Sequence, residues 1–98
     1  MHSIKLLPEF TAWLNGLKDR VTRLRLARRL DKAQTGNLGD VKPVGAGIFE
    51  MREHFGPGWR IYYIQRGETL IVMLGGGEKS TQIADIAKAV KIAANIEE

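Results

Sequence analysis

The feature that most constrains this chain is a run of alternating side chains cut twice by glycine turns. From Ile48 to His54, Phe49, Met51 and Glu53 fall on one side of an extended backbone, and Ile48, Glu50, Arg52 and His54 fall on the other, because successive strand side chains point to opposite faces. Phe55-Gly56-Pro57-Gly58 ends the pattern. Trp59 to Ile64 resumes it, with Trp59, Ile61 and Tyr63 set against Arg60, Tyr62 and Ile64, and Arg66-Gly67-Glu68 turns the chain again. Leu70 to Leu74 is apolar without interruption, as a strand covered on both faces would be. Strands joined by short glycine-bearing loops predict an antiparallel meander, and the rest of the chain must cover it.

Covering helices are predicted on both sides in sequence. Ser3 to Leu7 is a short strand candidate, but from Pro8 onward Phe10, Trp13, Leu14 and Leu17 stand at i, i+3, i+4 and i+7, one apolar helix face begun by a proline whose missing N–H costs nothing there. Asn15-Gly16 stops or bends that helix, and Asp19 is placed to cap a second one from Arg20 to Gln34. On the second helix Lys18, Arg25, Arg29 and Lys32 fall within about 60° of one another, with Arg28 beside them. Gln34 to Gly47 reads as a loop, being rich in glycine with a proline, an Asn and an Asp. After Gly75-Gly76-Gly77 a last helix is expected to start near Ser80 or Thr81, with Ile83, Ile86, Ala87, Val90 and Ala94 as its apolar stripe. The fold class is α+β, and the 98 residues, 44% of them hydrophobic, suffice for one domain spanning residues 1–98 and for no second core.

Charge narrows the partners. The formal net charge is +4, and all the arginines lie between Arg20 and Arg66, whereas residues 67–98 carry more acidic than basic side chains. Such a concentration steers polyanions toward one part of the fold. The absence of cysteine fits a reducing compartment, and the N-terminal MHSIKLLPEF has neither a long apolar region nor a cleavage pattern. A cytoplasmic protein with no membrane segment is expected.

Several chemistries are disfavoured by the residues themselves. GGGEKST lacks the glycine that a P-loop needs directly before its lysine, since Glu78 stands there. Free N–H groups at a helix start beside Lys79 would still suit a single phosphate. Glu50 and Glu53 face opposite ways on one strand and cannot act as a carboxylate pair. His2 and His54 form no metal-binding cluster, no nucleophile motif is present, and no cofactor is expected. What remains is a set of cations and phenols on adjacent strands. Arg52, Arg60 and Lys79 are candidates to converge on one phosphodiester, and if the ribose 2′-OH is the nucleophile the protein need supply only orientation, charge and proton transfer. His54, Tyr62 and Tyr63 are the candidates for proton transfer, with aromatic rings available for base stacking. Arg25, Arg29, Lys32 and Tyr62 are the candidate RNA-binding residues.

The runs GNLGDVKPVGAGIFEMREHFGPGWRIYYI and LIVMLGGGEKSTQIADIAKA resemble the addiction-module killer proteins, toxins of the RelE/HigB-type superfamily in bacterial type II toxin–antitoxin pairs. The resemblance covers nearly the whole chain, including FTAWLNGLKD, and rests on the combination of FEMR, WRIYY and GGGEKSTQ. It implies a RelE/ParE-like fold with two N-terminal helices packed on a small antiparallel sheet and a C-terminal helix. It also implies an mRNA endoribonuclease working on ribosome-bound message, with no metal, and a helix-turn-helix antitoxin encoded by an adjacent gene. Arg52 corresponds to the arginine of the FEMR-like strand, Arg60 and Tyr63 to its R-x-x-Y strand, and Lys79 to the basic position after the glycines. The chain departs from the pattern in having no tyrosine after Tyr63, and His54 is the substitute considered for proton transfer. A ParE-like gyrase inhibitor and a non-catalytic antitoxin-binding relic are the alternative expectations.

Overall fold

The computed structural model describes residues 2–96. Its elements are β1 (Ser3–Leu6), α1 (Pro8–Asn15), α2 (Arg20–Gln34), β2 (Val41–Gly45), β3 (Ile48–Glu53), β4 (Trp59–Arg66), β5 (Leu70–Glu78), a single 3-10 turn (Lys79–Thr81) and α3 (Gln82–Ala94). The strands form one five-stranded sheet in the order β1-β5-β4-β3-β2. β2 to β5 are antiparallel neighbours, whereas β1 lies parallel to β5, so the sheet is mixed and larger than the antiparallel meander expected. The fold is α+β.

Alternation along the strands separates two cores. Met51, Ile61, Tyr63, Ile71 and Met73 face Phe10, Trp13 and Leu14 of α1 and Leu30 and Ala33 of α2. Ile48, Tyr62, Ile64, Val72 and Leu74 face Ile86, Ala89, Val90 and Ala93 of α3. With helices on both faces, the uninterrupted apolar run of β5 is buried on both sides.

Two sequence expectations change. The stretch Gln34 to Gly47 contains β2, which pairs with β3 at the edge of the described sheet. Pro43 fits there because an edge position leaves its missing N–H without a required partner, and the turn through Gly45, Ala46 and Gly47 has positive φ at all three residues. The glycine run, in turn, is strand: Gly75, Gly76 and Gly77 lie opposite Tyr62, Ile61 and Arg60. A Cβ on Gly76 would fall 2.5 Å from the Trp13 ring, and one on Gly77 would collide with the Asp85 carboxylate, so the glycines let both helices close on the strand. They do not form an open turn at a helix start.

The helix faces also depart from expectation, with Arg29 of the expected basic stripe turned inward on α2 and the apolar stripe shifted on α3. On α2 the inward residues are Thr22, Leu26, Arg29, Leu30 and Ala33, while Val21 and Leu24 are exposed. On α3 the buried line runs through Ile86, Ala89, Val90 and Ala93, and Ile83 is 89% exposed. The first turn of α3 lies over a polar patch and turns Gln82 and Asp85 inward, which moves the apolar stripe by about one residue, or about 100°. Asp19 caps α2, accepting from the Val21 N–H at 3.2 Å and the Thr22 hydroxyl at 2.7 Å. No described helix is long and apolar enough to cross a membrane.

Candidate functional site

The α3 side of the sheet holds a polar cluster where an apolar core would otherwise continue. Glu50 on β3 and Arg60 on β4 are 1% and 5% exposed. Arg60 Nε lies 3.6 Å from Glu50 Oε1, and the Gln82 side-chain amide donates to Glu50 Oε2 at 2.6 Å. Arg60 Nη1 donates to the Trp59 carbonyl at 3.0 Å. Among the described residues Nε itself has no hydrogen-bond partner, nor does the Tyr62 hydroxyl. Burial first, then the Glu50 and Asp85 carboxylates, push the Tyr62 phenol far above its ordinary range, so it remains protonated.

Three of the anticipated cations lie toward this end of the sheet. Arg52 and Arg60 are directly opposite across β3 and β4 and share the α3 face. Lys79 is tied to the β3–β4 hairpin through its N–H, which donates to the Gly58 carbonyl at 2.8 Å. A Cβ built on Gly58 would lie 3.3 Å from Lys79 Cβ and 3.6 Å from Arg60 Nη1, so both side chains pass one backbone point.

His54 joins the cluster through Asp40. Its Nε2 is 2.7 Å from Asp40 Oδ2, and Arg52 Nε is 3.7 Å from the same oxygen. The imidazole hydrogen bond is the largest cause holding the Asp40 carboxyl below its ordinary value, with the Arg52 charge acting the same way against partial desolvation. With Nε2–H committed to the carboxylate, Nδ1 is the ring atom left to accept a proton. The side chain is 61% exposed, and it reaches solvent beside the cations.

Other anticipated residues are elsewhere. Tyr63 is buried on the opposite face, stacked on Phe49 with ring centroids 5.5 Å apart, and burial raises its phenol. Tyr62 is fully buried under α3. Neither ring is available to stack on a base, because strand alternation and two-sided helix coverage put both in the cores. Arg29, expected on a solvated basic stripe, is turned inward: Nη1 donates to the Arg52 carbonyl at 2.9 Å and to Glu53 Oε2 at 2.7 Å, Nη2 to the Leu38 and Asp40 carbonyls at 3.0 and 2.8 Å, and Nε to the Leu38 carbonyl at 3.2 Å. Gly39, with φ +68°, lets the loop reach it, since a Cβ there would sit 3.0 Å from the guanidinium carbon.

Arg25 and Lys32 remain on the surface, together with Arg28. They line a basic hollow near Asn37 and Gly39, and the Arg25 guanidinium lies 3.9 Å above the Phe55 ring. The basic face of α2 therefore runs up to the hairpin that carries His54 and Gly58. Glu50 and Gln82 were missed as members of the site. The signal for Glu50 was its place on the same strand face as Arg52, directly across the hairpin from Tyr62, whereas Gln82 depends on how α3 docks. Among the described residues, no group of three or more His, Asp or Glu side chains converges as metal ligands would.

An α+β scaffold with a recessed cationic site describes a class of small basic protein. The family is shown directly: the model of the phage derived protein Gp49-like (DUF891) family matches residues 12–96, and the chain belongs to that family, which is associated with toxin–antitoxin addiction modules. The chain is also similar to an uncharacterized protein of Haemophilus influenzae (strain Rd), 40% identical over 90 residues that cover 92% of this chain and 91% of that protein.

Proposed function

We propose that this protein is the toxin of an addiction module and acts as a RelE/HigB-type endoribonuclease on messenger RNA at the ribosome. One observation carries the reading: Arg52 and Arg60 oppose each other across two strands while Lys79 is pinned at the same end. Each arginine has a carboxylate beside it, Asp40 at 3.7 Å and Glu50 at 3.6 Å, but neither Nε is hydrogen-bonded among the described residues, so the pair keeps donor capacity for an incoming anion. A phosphodiester supplies that anion, and its charge grows during displacement.

In this mechanism the 2′-OH of one nucleotide attacks the adjacent phosphorus and gives its proton to His54 Nδ1, which Asp40 orients through Nε2. The P–O5′ bond breaks, leaving a cyclic phosphate on one fragment, while the departing oxygen takes a proton from solvent. Arg52 and Lys79 hold the non-bridging oxygens, with Arg60 reaching them from beneath and Glu50 and Gln82 fixing its position. Arg25 and Lys32 guide the flanking backbone over the hairpin.

The test is cleavage of ribosome-bound message by purified protein. Arg52→Ala and Lys79→Ala, both at positions with solvent access, are expected to lower the rate about 100- to 1,000-fold with melting temperature nearly unchanged. Full activity in the folded double variant would remove this site. The near-complete burial of Arg60 against Glu50 favours a second reading, a ParE-like inhibitor of DNA gyrase that works by binding alone; arrest of DNA replication before protein synthesis on induction would select it.

A further inference from the structure

β5 is longer than the strand that flanks it. β1 covers Leu70 to Met73, and the Leu7 N–H donates to the Met73 carbonyl as the chain leaves the sheet. From Leu74 to Glu78 the strand has β4 on one side and, among the described residues, no strand on the other. Beside it runs a cleft of about 280 Å³ lined by all of Leu74, Gly75, Gly76, Gly77 and Glu78. Consecutive strand residues point to alternate faces, so a cleft that touches every one of them follows the edge of the strand.

The cleft is shaped for an extended chain. Trp13 closes one side over Gly76 and Asp85 the other over Gly77, with Trp59 and Ile92 adding apolar wall. The three glycines place no side chain in the way, and a Cβ on Gly75 would meet nothing within 4 Å. Free strand edges are templates for pairing, and strand addition draws affinity from the backbone and specificity from side-chain pockets. The charged lining is Glu9, Glu78 and Asp85 against Lys88.

We infer that the edge of β5 from Leu74 to Glu78 receives an extended segment of the antitoxin, one with apolar side chains and a Lys or Arg facing Glu9 and Glu78. The inference rests on the addiction-module reading. A strand paired as far as Glu78 ends beside Lys79, which gives the partner access to the cationic site without unfolding any element of the toxin.

The experiment uses the full chain with the product of the adjacent gene, mixed as purified proteins and followed by amide hydrogen exchange. Exchange across Gly75–Glu78 is expected to slow about tenfold or more in the complex. Gly75→Leu, which fills the groove where the fold has room, and Glu9→Lys, which reverses one wall charge, are each expected to weaken binding about tenfold while message cleavage by the free variants stays unchanged. Neutralisation by the neighbour with unprotected edge amides and undiminished binding of both variants would overturn the inference and leave the toxin reading standing. Failure of the neighbour to bind or to restore growth would sink both. Protection that appears in the isolated chain and rises with its concentration would assign the edge to a second copy and equally overturn the inference.

Discussion

Arg29 and Arg60 are both more than nine-tenths buried, yet they are built in opposite ways. Every nitrogen of Arg29 donates, four of its five bonds going to main-chain carbonyls of the 38–40 loop and of Arg52. Arg60 has a near-neighbour carboxylate at 3.6 Å and an Nε with no hydrogen bond among the described residues. A buried charge with its donors matched ties a fold together, and one left short of partners is tolerated where something else is to bind. Burial alone would have placed these two arginines in one category; donor satisfaction separates them.

The largest expected effect falls on Arg29. Arg29→Ala leaves Glu53 without its partner and the Leu38 and Arg52 carbonyls without the donors Arg29 supplies, while the Asp40 carbonyl keeps the Arg52 N–H at 2.9 Å, and removing one member of a buried ion pair costs about 3–5 kcal/mol. Urea unfolding measures this. A loss under about 1 kcal/mol would show that the network is dispensable and break the contrast with Arg60.

Arg60→Lys sharpens the same comparison. The substitution retains a cation beside Glu50 but removes the planar fork that can reach two phosphate oxygens. Message cleavage is expected to fall about 100-fold, equivalent to about 2.7 kcal/mol of transition-state stabilisation, with a melting temperature close to that of the parent. Arg29→Lys should show the reverse, a lowered melt and cleavage proportional to the folded fraction. Equal losses of stability in both variants would merge the two arginines into one structural role.

The sequence spoke clearly where local pattern decides. Asp19 before Arg20, the two glycine turns around β4 and the apolar run of β5 each follow from short-range chemistry, and the opposite facing of Glu50 and Glu53 follows from the period of a strand. Legibility ended where a distant element decides. β2 escaped because its proline and glycines read as loop, and only pairing with β3 makes it strand. The glycine run looked like a helix-start turn because nothing local says that Trp13 and Asp85 need the space. Tyr62 and Tyr63 looked available until helices covered both faces. Arg25 and Arg29 sit four residues apart on one helix, but the 38–40 loop draws only the second inward. Of the site, the pairing of Arg52 with Arg60 could be anticipated from adjacent strands, while Gln82 depends on the docking of α3.

Arg25 should have a smaller effect than either buried arginine. Its guanidinium covers Phe55 and contributes to the basic track on α2, so Arg25→Ala removes a cation–π contact of about 0.5–1 kcal/mol and, on the proposed endoribonuclease reading, one phosphate contact. Binding of a single-stranded RNA, measured across a salt series, should lose about 0.7 from its logarithmic slope, with the cleavage step itself unaffected once the message is bound. An unchanged slope would take α2 out of the RNA path.

The smallest effect tests Asp40, which serves both arginine systems with different atoms. Its main-chain carbonyl accepts from Arg29 and cannot titrate, whereas its carboxylate holds His54 and faces Arg52. In the folded state that carboxyl is depressed below its ordinary 3.8, by the His54 hydrogen bond above all. Its stabilising contribution is therefore complete above that value and is lost as the pH falls through the lower folded one. Between about pH 6 and about pH 3 the urea midpoint of the parent should drop slightly further than that of Asp40→Asn, because only the parent has this proton to take up on unfolding. At neutral pH, Asp40→Asn should keep the Arg29 network and most of the stability while slowing cleavage, since His54 loses the carboxylate that fixes its tautomer. Identical acid sensitivity in the two proteins, with cleavage unaffected, would confine Asp40 to its carbonyl and assign it to the Arg29 side of the comparison alone.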